Sequence, residues 1–207
     1  MPSAARSANK AFAAPGRRAR IVLVGASSGG LAAVQRLLRG LDAAFALPVV
    51  VVQHLGQGDD VLTWTGLLAA ASKLPVVEAR HRAPVRAGVV QIAPAGYHLL
   101  IERTRTFALS AEEKVLHVRP SVDVLFHAAA DVYRGGCVGV VLTGANDDGA
   151  RGLEEIRSRG GIAIVQDPAE AEAPQMPAAA LRQAGADYTL ALAEIPGVLN
   201  RLAREAA

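Results

Sequence analysis

Short aliphatic runs alternate along this chain with stretches whose apolar residues recur at helical spacing. Residues 21–24 (Ile-Val-Leu-Val) form a continuous apolar run, the pattern of a strand buried on both faces. A glycine-rich segment, residues 25–30, follows, and then Leu31, Val34, Leu37, Leu38 and Leu41 mark one face of a helix. Residues 48–53 predict a second strand ending at His54, residues 62–74 a second helix and residues 75–78 a third strand. Strands that alternate with helices predict parallel pairing through right-handed crossovers.

Between about residues 83 and 119 this rhythm breaks. The segments 89–93, 98–101, 106–109 and 115–118 are short, strand-like and separated in places by turn residues. They predict antiparallel hairpins inserted into the sheet. Alternation then resumes. A helix is predicted over about 121–134, with Val122, Leu125, Phe126 and Ala129 on one face, followed by a strand over 137–143. A helix over 149–159, a strand over 161–165 and a proline-rich loop come next. A helix near 177–184, a short strand at 188–190 and a C-terminal helix complete the chain. No internal repeat is present. The expected fold is one doubly wound α/β domain of three layers, its open sheet mostly parallel, with the hairpin region inserted. Such sheets bind ligands at the carboxyl ends of their strands, near the point where strand order reverses. Three polar segments, 25–30, 53–60 and 143–149, fall at such ends.

Composition agrees with a packed aliphatic sheet: of 207 residues 51% are apolar but only 4% aromatic. No apolar stretch approaches the roughly 20 residues that span a bilayer, and the first residues lack the compact apolar block of a secretory signal. Cys137 is the single cysteine, which excludes an intrachain disulfide and fits a reducing cytoplasm. The net charge of +3 is misleading. Arg6, Lys10, Arg17, Arg18 and Arg20 face no acid within the first 20 residues, leaving 17 bases against 19 acids beyond them. The body is close to neutral, which argues against a nucleic-acid module. Residues 1–19 are expected to be a disordered basic leader, and 20–207 the folded domain.

Residues 25–29, Gly-Ala-Ser-Ser-Gly, match the G-x-S-x-G nucleophile turn in the strand-then-helix context it requires. Flanking glycines let the chain reverse and leave Ser27 unshielded at a helix N-terminus, where free amides and the helix dipole favour an oxyanion. A phosphate cradle or a plain helix cap by Ser27 or Ser28 would use the same residues. No G-x-G-x-x-G and no P-loop lysine accompany them. A serine nucleophile needs a base. Of the five histidines only His54 ends a predicted parallel strand on this rim. His98, His117 and His127 lie inside hairpin or helix patterns, and His81 in a basic loop. The orienting carboxylate would come from residues 144–149, Gly-Ala-Asn-Asp-Asp-Gly, where Asp147 and Asp148 are both candidates and either could instead cap the next helix. The order Ser, His, Asp differs from that of α/β-hydrolases. No cysteine cluster and no paired histidines suggest a metal site.

Several segments together resemble a known family, the catalytic domain of the CheB chemotaxis protein-glutamate methylesterases. They are residues 24–30, 50–54, Ile92 to His98, Arg119 to Phe126, 138–144, Asp148-Gly-Ala150 with Gly152-Leu153, Val165-Gln-Asp167 and Met176-Pro177. They occur in family order over roughly residues 20–200. The resemblance implies an open parallel α/β sheet and a triad of Ser27, His54 and Asp148. It further assigns Ser28, Gly29, Ala145 and Met176 to the oxyanion and substrate surroundings. It implies hydrolysis of glutamyl methyl esters, and deamidation of glutamines, on the cytoplasmic helical bundle of chemotaxis receptors, without cofactor or metal. A related esterase acting on another protein or small ester, and a catalytically silent binding module, are the alternatives. Ser28 stands where the family usually has Thr, and Ala145 where it usually has Met. Residues 55–60 replace the usual Met-Pro-Pro-Gly-Phe with a more polar, acidic loop. Many members carry an N-terminal receiver domain; with about 20 residues before the first strand, either a stand-alone form or a fragment is expected here, the leading Met favouring the former, with regulation open to a receiver acting in trans.

Overall fold

The computed structural model describes residues 18–54 and 61–206. Nine strands and six helices are described: β1 (Ile21–Ala26), α1 (Gly30–Arg39), β2 (Val49–Gln53), α2 (Val61–Ala69), β3 (Val76–Glu78), β4 (Val90–Ile92), β5 (His98–Ile101), β6 (Phe107–Ser110), α3 (Val122–Tyr133), β7 (Cys137–Val141), α4 (Ala150–Ser158), β8 (Ile162–Gln166), α5 (Gln175–Gln183), β9 (Tyr188–Leu190) and α6 (Ile195–Ala206). Seven strands form one sheet in the order β3-β4-β2-β1-β7-β8-β9, every pair parallel.

The period of two in the strands distributes the core between two faces. Val22 and Val24 of β1 line up with Val49 and Val51 of β2 and Val138 and Val140 of β7, and meet Leu37 and Leu38 of α1 and Leu199 and Leu202 of α6. Ile21 and Leu23 point the other way, with Val50 and Val52, onto Leu125 and Phe126 of α3 and Leu153 and Ile156 of α4. Each such side chain, withdrawn from water, contributes about 1.5–3 kcal/mol. Unbroken aliphatic runs are therefore the sequence signature of strands covered on both sides.

The inserted region differs from its expected form in two places. Residues 90–92 are not part of a hairpin: β4 is an inner strand of the parallel sheet, paired with β2 and β3. Its three residues are all buried, and a run that short carries no periodicity to separate a parallel inner strand from a hairpin arm. The segment 115–118 is a tight turn closed by one Val115–Val118 bridge, with Leu116 and His117 at positive φ, rather than a strand. β5 and β6 do form the expected antiparallel pair, as a separate two-stranded sheet. Arg18 and Ala19, assigned on sequence to the leader, pack on the body: Ala19 is buried and Arg18 Nε donates to Ala206 O. The rest of the expected leader, and the loop 55–60, lie outside the described residues. No helix among the described residues is long and apolar enough to cross a membrane.

Strand order reverses at β1, which lies between β2 and β7. The segments leaving these three strands meet on one rim. Gly25 brings the other face close to that rim: a Cβ there would lie 2.4 Å from Val122 Cγ1, so only glycine lets the N-terminus of α3 rest against β1.

Candidate active site

Backbone hydrogen bonds place the three segments in register. Ala26 pairs with Gln53, and His54 N donates to Ala26 O at 3.0 Å, which sets Ser27 beside His54. On the other side Ser27 N donates to Thr143 O at 3.0 Å. The turn is then tied down from three directions. Gly30 N donates to Ser27 O, Thr143 Oγ1 donates to Ser28 O, and the Gln53 carboxamide donates to both Ser27 O and His54 O, at 2.8 and 2.9 Å. Gln53 thus joins the carbonyls of the two residues whose side chains would react. Ser27, Ser28, Gly29, Gln53, His54 and Trp64 line one open cleft of about 600 Å³.

The structure brings Asp148, not Asp147, to the imidazole. His54 Nε2 lies 2.8 Å from Asp148 Oδ2. Asp147 is exposed, with Arg182 Nη2 at 3.9 Å. Asp148 is fully buried and accepts four hydrogen bonds: from His54 Nε2, Val122 N (2.6 Å), Ser121 Oγ (2.8 Å) and Asp123 N (3.0 Å). The carboxylate therefore sits at the N-terminus of α3, where unpaired amides and the helix dipole favour negative charge. Burial alone would raise its pKa; the hydrogen bond and charge of His54, then the Asp123 and Val122 amides, outweigh that and hold the carboxyl below its ordinary range. It does not cap α4, whose N-cap is Gly149.

The other histidines have structural positions. His98 is buried, with Nδ1 accepting from Ser121 N and Nε2 donating to Glu113 O. His81 Nδ1 accepts from Leu109 N, while His117 and His127 are exposed. Among the described residues no hydrogen bond joins the Ser27 hydroxyl to the imidazole. His54 Nδ1 instead faces Asn146 Nδ2 at 3.4 Å.

The residues expected to surround the reacting carbonyl have separate places. Ser28 and Ala145 are exposed on the rim and Gly29 is half-buried. Among the described residues, the backbone N–H groups of Ser28, Gly29 and Ala145 donate to no protein acceptor. Met176 is fully buried and packs under Gly144, its N–H donating to Gly144 O. It shapes the loop from below and does not face the cleft. Sequence reasoning left four residues without a role: Gln53, Ser121, Thr143 and Asn146. Ser121 carried a readable signal, a serine directly before an apolar helical run. Gln53, Thr143 and Asn146 carried none, because their partners lie in other loops.

Comparison with known proteins bears on the family and the fold. The CheB methylesterase family profile matches residues 22–199. A Leptospira interrogans relative named as protein-glutamate methylesterase/protein-glutamine glutaminase is 42% identical over 181 residues, covering 87% of this chain and 93% of its own. An Anaeromyxobacter dehalogenans relative of the same activities is 44% identical over 93% of this chain and 56% of its own length. The Myxococcus xanthus protein-glutamate methylesterase FrzG is 38% identical over 96% of this chain and 58% of its own. The chain thus spans nearly all of one relative and little more than half of the other two. The crystal structure of the Thermotoga maritima CheB methylesterase catalytic domain superposes with a TM-score of 0.85 at 33% identity, covering 89% of this chain and 98% of that one. A parallel sheet of this order, carrying a buried aspartate on a strand-end histidine beside a serine turn, together with these similarities, places the chain in the CheB methylesterase family.

Proposed function

We propose that this protein is a serine hydrolase that removes methyl groups from glutamate methyl esters, and deamidates glutamines, on the cytoplasmic helical bundle of chemotaxis receptors. Ser27 is the nucleophile, His54 the base and Asp148 the carboxylate that orients it. The observation that carries this reading is the 2.8 Å bond between His54 Nε2 and the buried Asp148, at a histidine that shares its cleft with Ser27. An ionised carboxylate only accepts, so Nε2 holds the ring proton and Nδ1 the lone pair.

The chemistry follows from that tautomer. Nδ1 takes the Ser27 proton as Oγ attacks the side-chain carbonyl carbon. The amides of Ser28, Gly29 and Ala145 stabilise the oxyanion. The C–O bond to the methoxy group breaks, and His54 returns the proton to release methanol; with a glutamine substrate the leaving group is ammonia. Water, deprotonated by His54, then frees glutamate from Ser27. Asp148 stabilises the imidazolium in both halves. No step needs a metal or cofactor.

The names of the relatives support the substrate class. The missing Ser27–His54 hydrogen bond is the one observation favouring a silent binding module. Two assays separate the readings. A fluorophosphonate probe labels Ser27 in the hydrolase and leaves Ser27→Ala unlabelled; an unlabelled wild type sinks the enzyme reading. Methanol release from a methylated receptor bundle, with and without a phosphorylated receiver domain, then tests the substrate. A labelled protein that releases none acts on another ester.

A further inference from the structure

Asn146 is bonded at both ends of its carboxamide. Its Oδ1 accepts from the Asp148 backbone N–H at 3.1 Å, closing an Asx turn across the aspartate loop. That bond determines which end of the amide meets the imidazole. Nδ2, a donor with no lone pair to offer, lies 3.4 Å from His54 Nδ1. The opposite ring nitrogen is engaged by Asp148, so Nδ1 is the acceptor. Asn146 therefore donates into the lone pair that must receive the Ser27 proton, while among the described residues the Ser27 hydroxyl makes no bond to the ring.

We propose that Asn146 is a resting latch on the base. This rests on the hydrolase reading above and goes beyond it. The carboxamide favours the tautomer the reaction needs and occupies its basic nitrogen. A lone pair serves one donor well, so the Ser27 hydroxyl and the Asn146 amide compete for it. Once Nδ1 is protonated, its N–H opposes the Asn146 N–H, so the latch opens before the transition state and closes after product leaves. Asn146 is a positioning residue: it acts through His54 and breaks no bond of the substrate.

Two variants test this. Asn146→Ala removes the whole carboxamide. Asn146→Ser keeps an oxygen for the Asp148 N–H but cannot reach the ring. The second-order rate of Ser27 labelling by a fluorophosphonate is measured alongside the ¹⁵N resonances of the His54 ring, assigned with His54→Gln, and the melting temperature. Both variants are expected to label about two- to tenfold faster than wild type, the span of a net hydrogen bond of ordinary strength. The Nδ1 resonance should move as the Asn146 amide gives way to the Ser27 hydroxyl, while Nε2–H stays. A destabilised loop would instead slow labelling and lower the melting temperature. Labelling no faster than wild type in both variants, or an unmoved Nδ1 resonance, overturns the latch alone. Failure of wild type and both variants to label overturns the hydrolase reading and the latch with it.

Discussion

Gly144 is the position at which the smallest change should do the most. Its amide donates to Ala173 O and its carbonyl accepts from Met176 N, both at 2.9 Å, so its backbone is pinned on both sides. In Gly144→Ala the new methyl would lie 1.9 Å from Met176 Sδ, 2.8 Å from Met176 Cγ and 2.9 Å from Ser27 Cβ. Comfortable carbon contacts are about 3.5–4.0 Å. Met176 is fully buried and has no solvent to retreat into. The strain therefore divides between Met176 and the serine turn. Overpacking of this kind costs about 1–3 kcal/mol. At about 2–4 °C per kcal/mol for a domain of this size, the melting temperature should fall by about 2–12 °C. A nucleophile displaced by about 1 Å loses about 10²-fold in rate. Methanol release and calorimetry on Gly144→Ala, Met176→Ala and the double variant form the assay. Met176→Ala alone should destabilise by leaving a cavity, yet it vacates the space the methyl needs. The double variant should be better than the sum of the singles by about 0.5–3 kcal/mol, with part of the activity regained. Strict additivity, or a Gly144→Ala protein with wild-type kinetics and melting, would refute the packing argument.

Asp148→Asn should lower turnover by about 10⁴-fold through loss of the oriented imidazole, as in triads generally; equal rates would sink its orienting role. The same substitution tests the electrostatics. The Asp148 carboxyl is held below its ordinary value, so its ionised form contributes stability that is complete above about pH 4 and lost as pH falls through the lower folded value. Asp123, raised mainly by burial, acts with the opposite sign. Denaturation between pH 6 and pH 2 should therefore show a shallower acid loss in Asp148→Asn, and an unchanged slope contradicts the assignment. Gln53→Glu replaces a double donor with an acceptor facing the carbonyls of Ser27 and His54; urea unfolding should show a loss of about 1–3 kcal/mol and Ser27 labelling should slow, whereas wild-type values in both would remove Gln53 from the site. Burial pushes the Cys137 thiol up to about 12, so native protein should resist alkylation that unfolded protein undergoes rapidly; fast native labelling would contradict the buried strand.

The layout of the sheet was largely readable because burial on both faces demands unbroken aliphatic runs, and residues 21–24, 48–53 and 137–143 show them. The exceptions have a common cause. Residues 90–92 and 115–118 look alike in sequence, yet one is an inner parallel strand and the other a tight turn. Periodicity needs length, and both segments are too short to supply it; their neighbours in space decided the outcome. The same division runs through the site. The serine turn, the histidine at a strand end and the aspartate pair announce their chemistry through local pattern. Choosing between Asp147 and Asp148 from the residues alone was impossible, since both could cap a helix. The fold distinguishes them, because the N-terminus of α3, remote in sequence, offers Val122 N, Asp123 N and Ser121 Oγ to one carboxylate and leaves the other to solvent.

Chain order and hydrophobic spacing carry the strand–helix alternation and the residue types able to react, because these follow from local backbone geometry and from which face must leave water. Which donor meets which acceptor is a property of loops joined across the sheet: Gln53 bridging two carbonyls, Met176 beneath Gly144 and Asn146 on the lone pair of His54. Directional bonds of about 3 Å between residues 94 and 115 positions apart in the chain leave no periodic trace for a sequence to display.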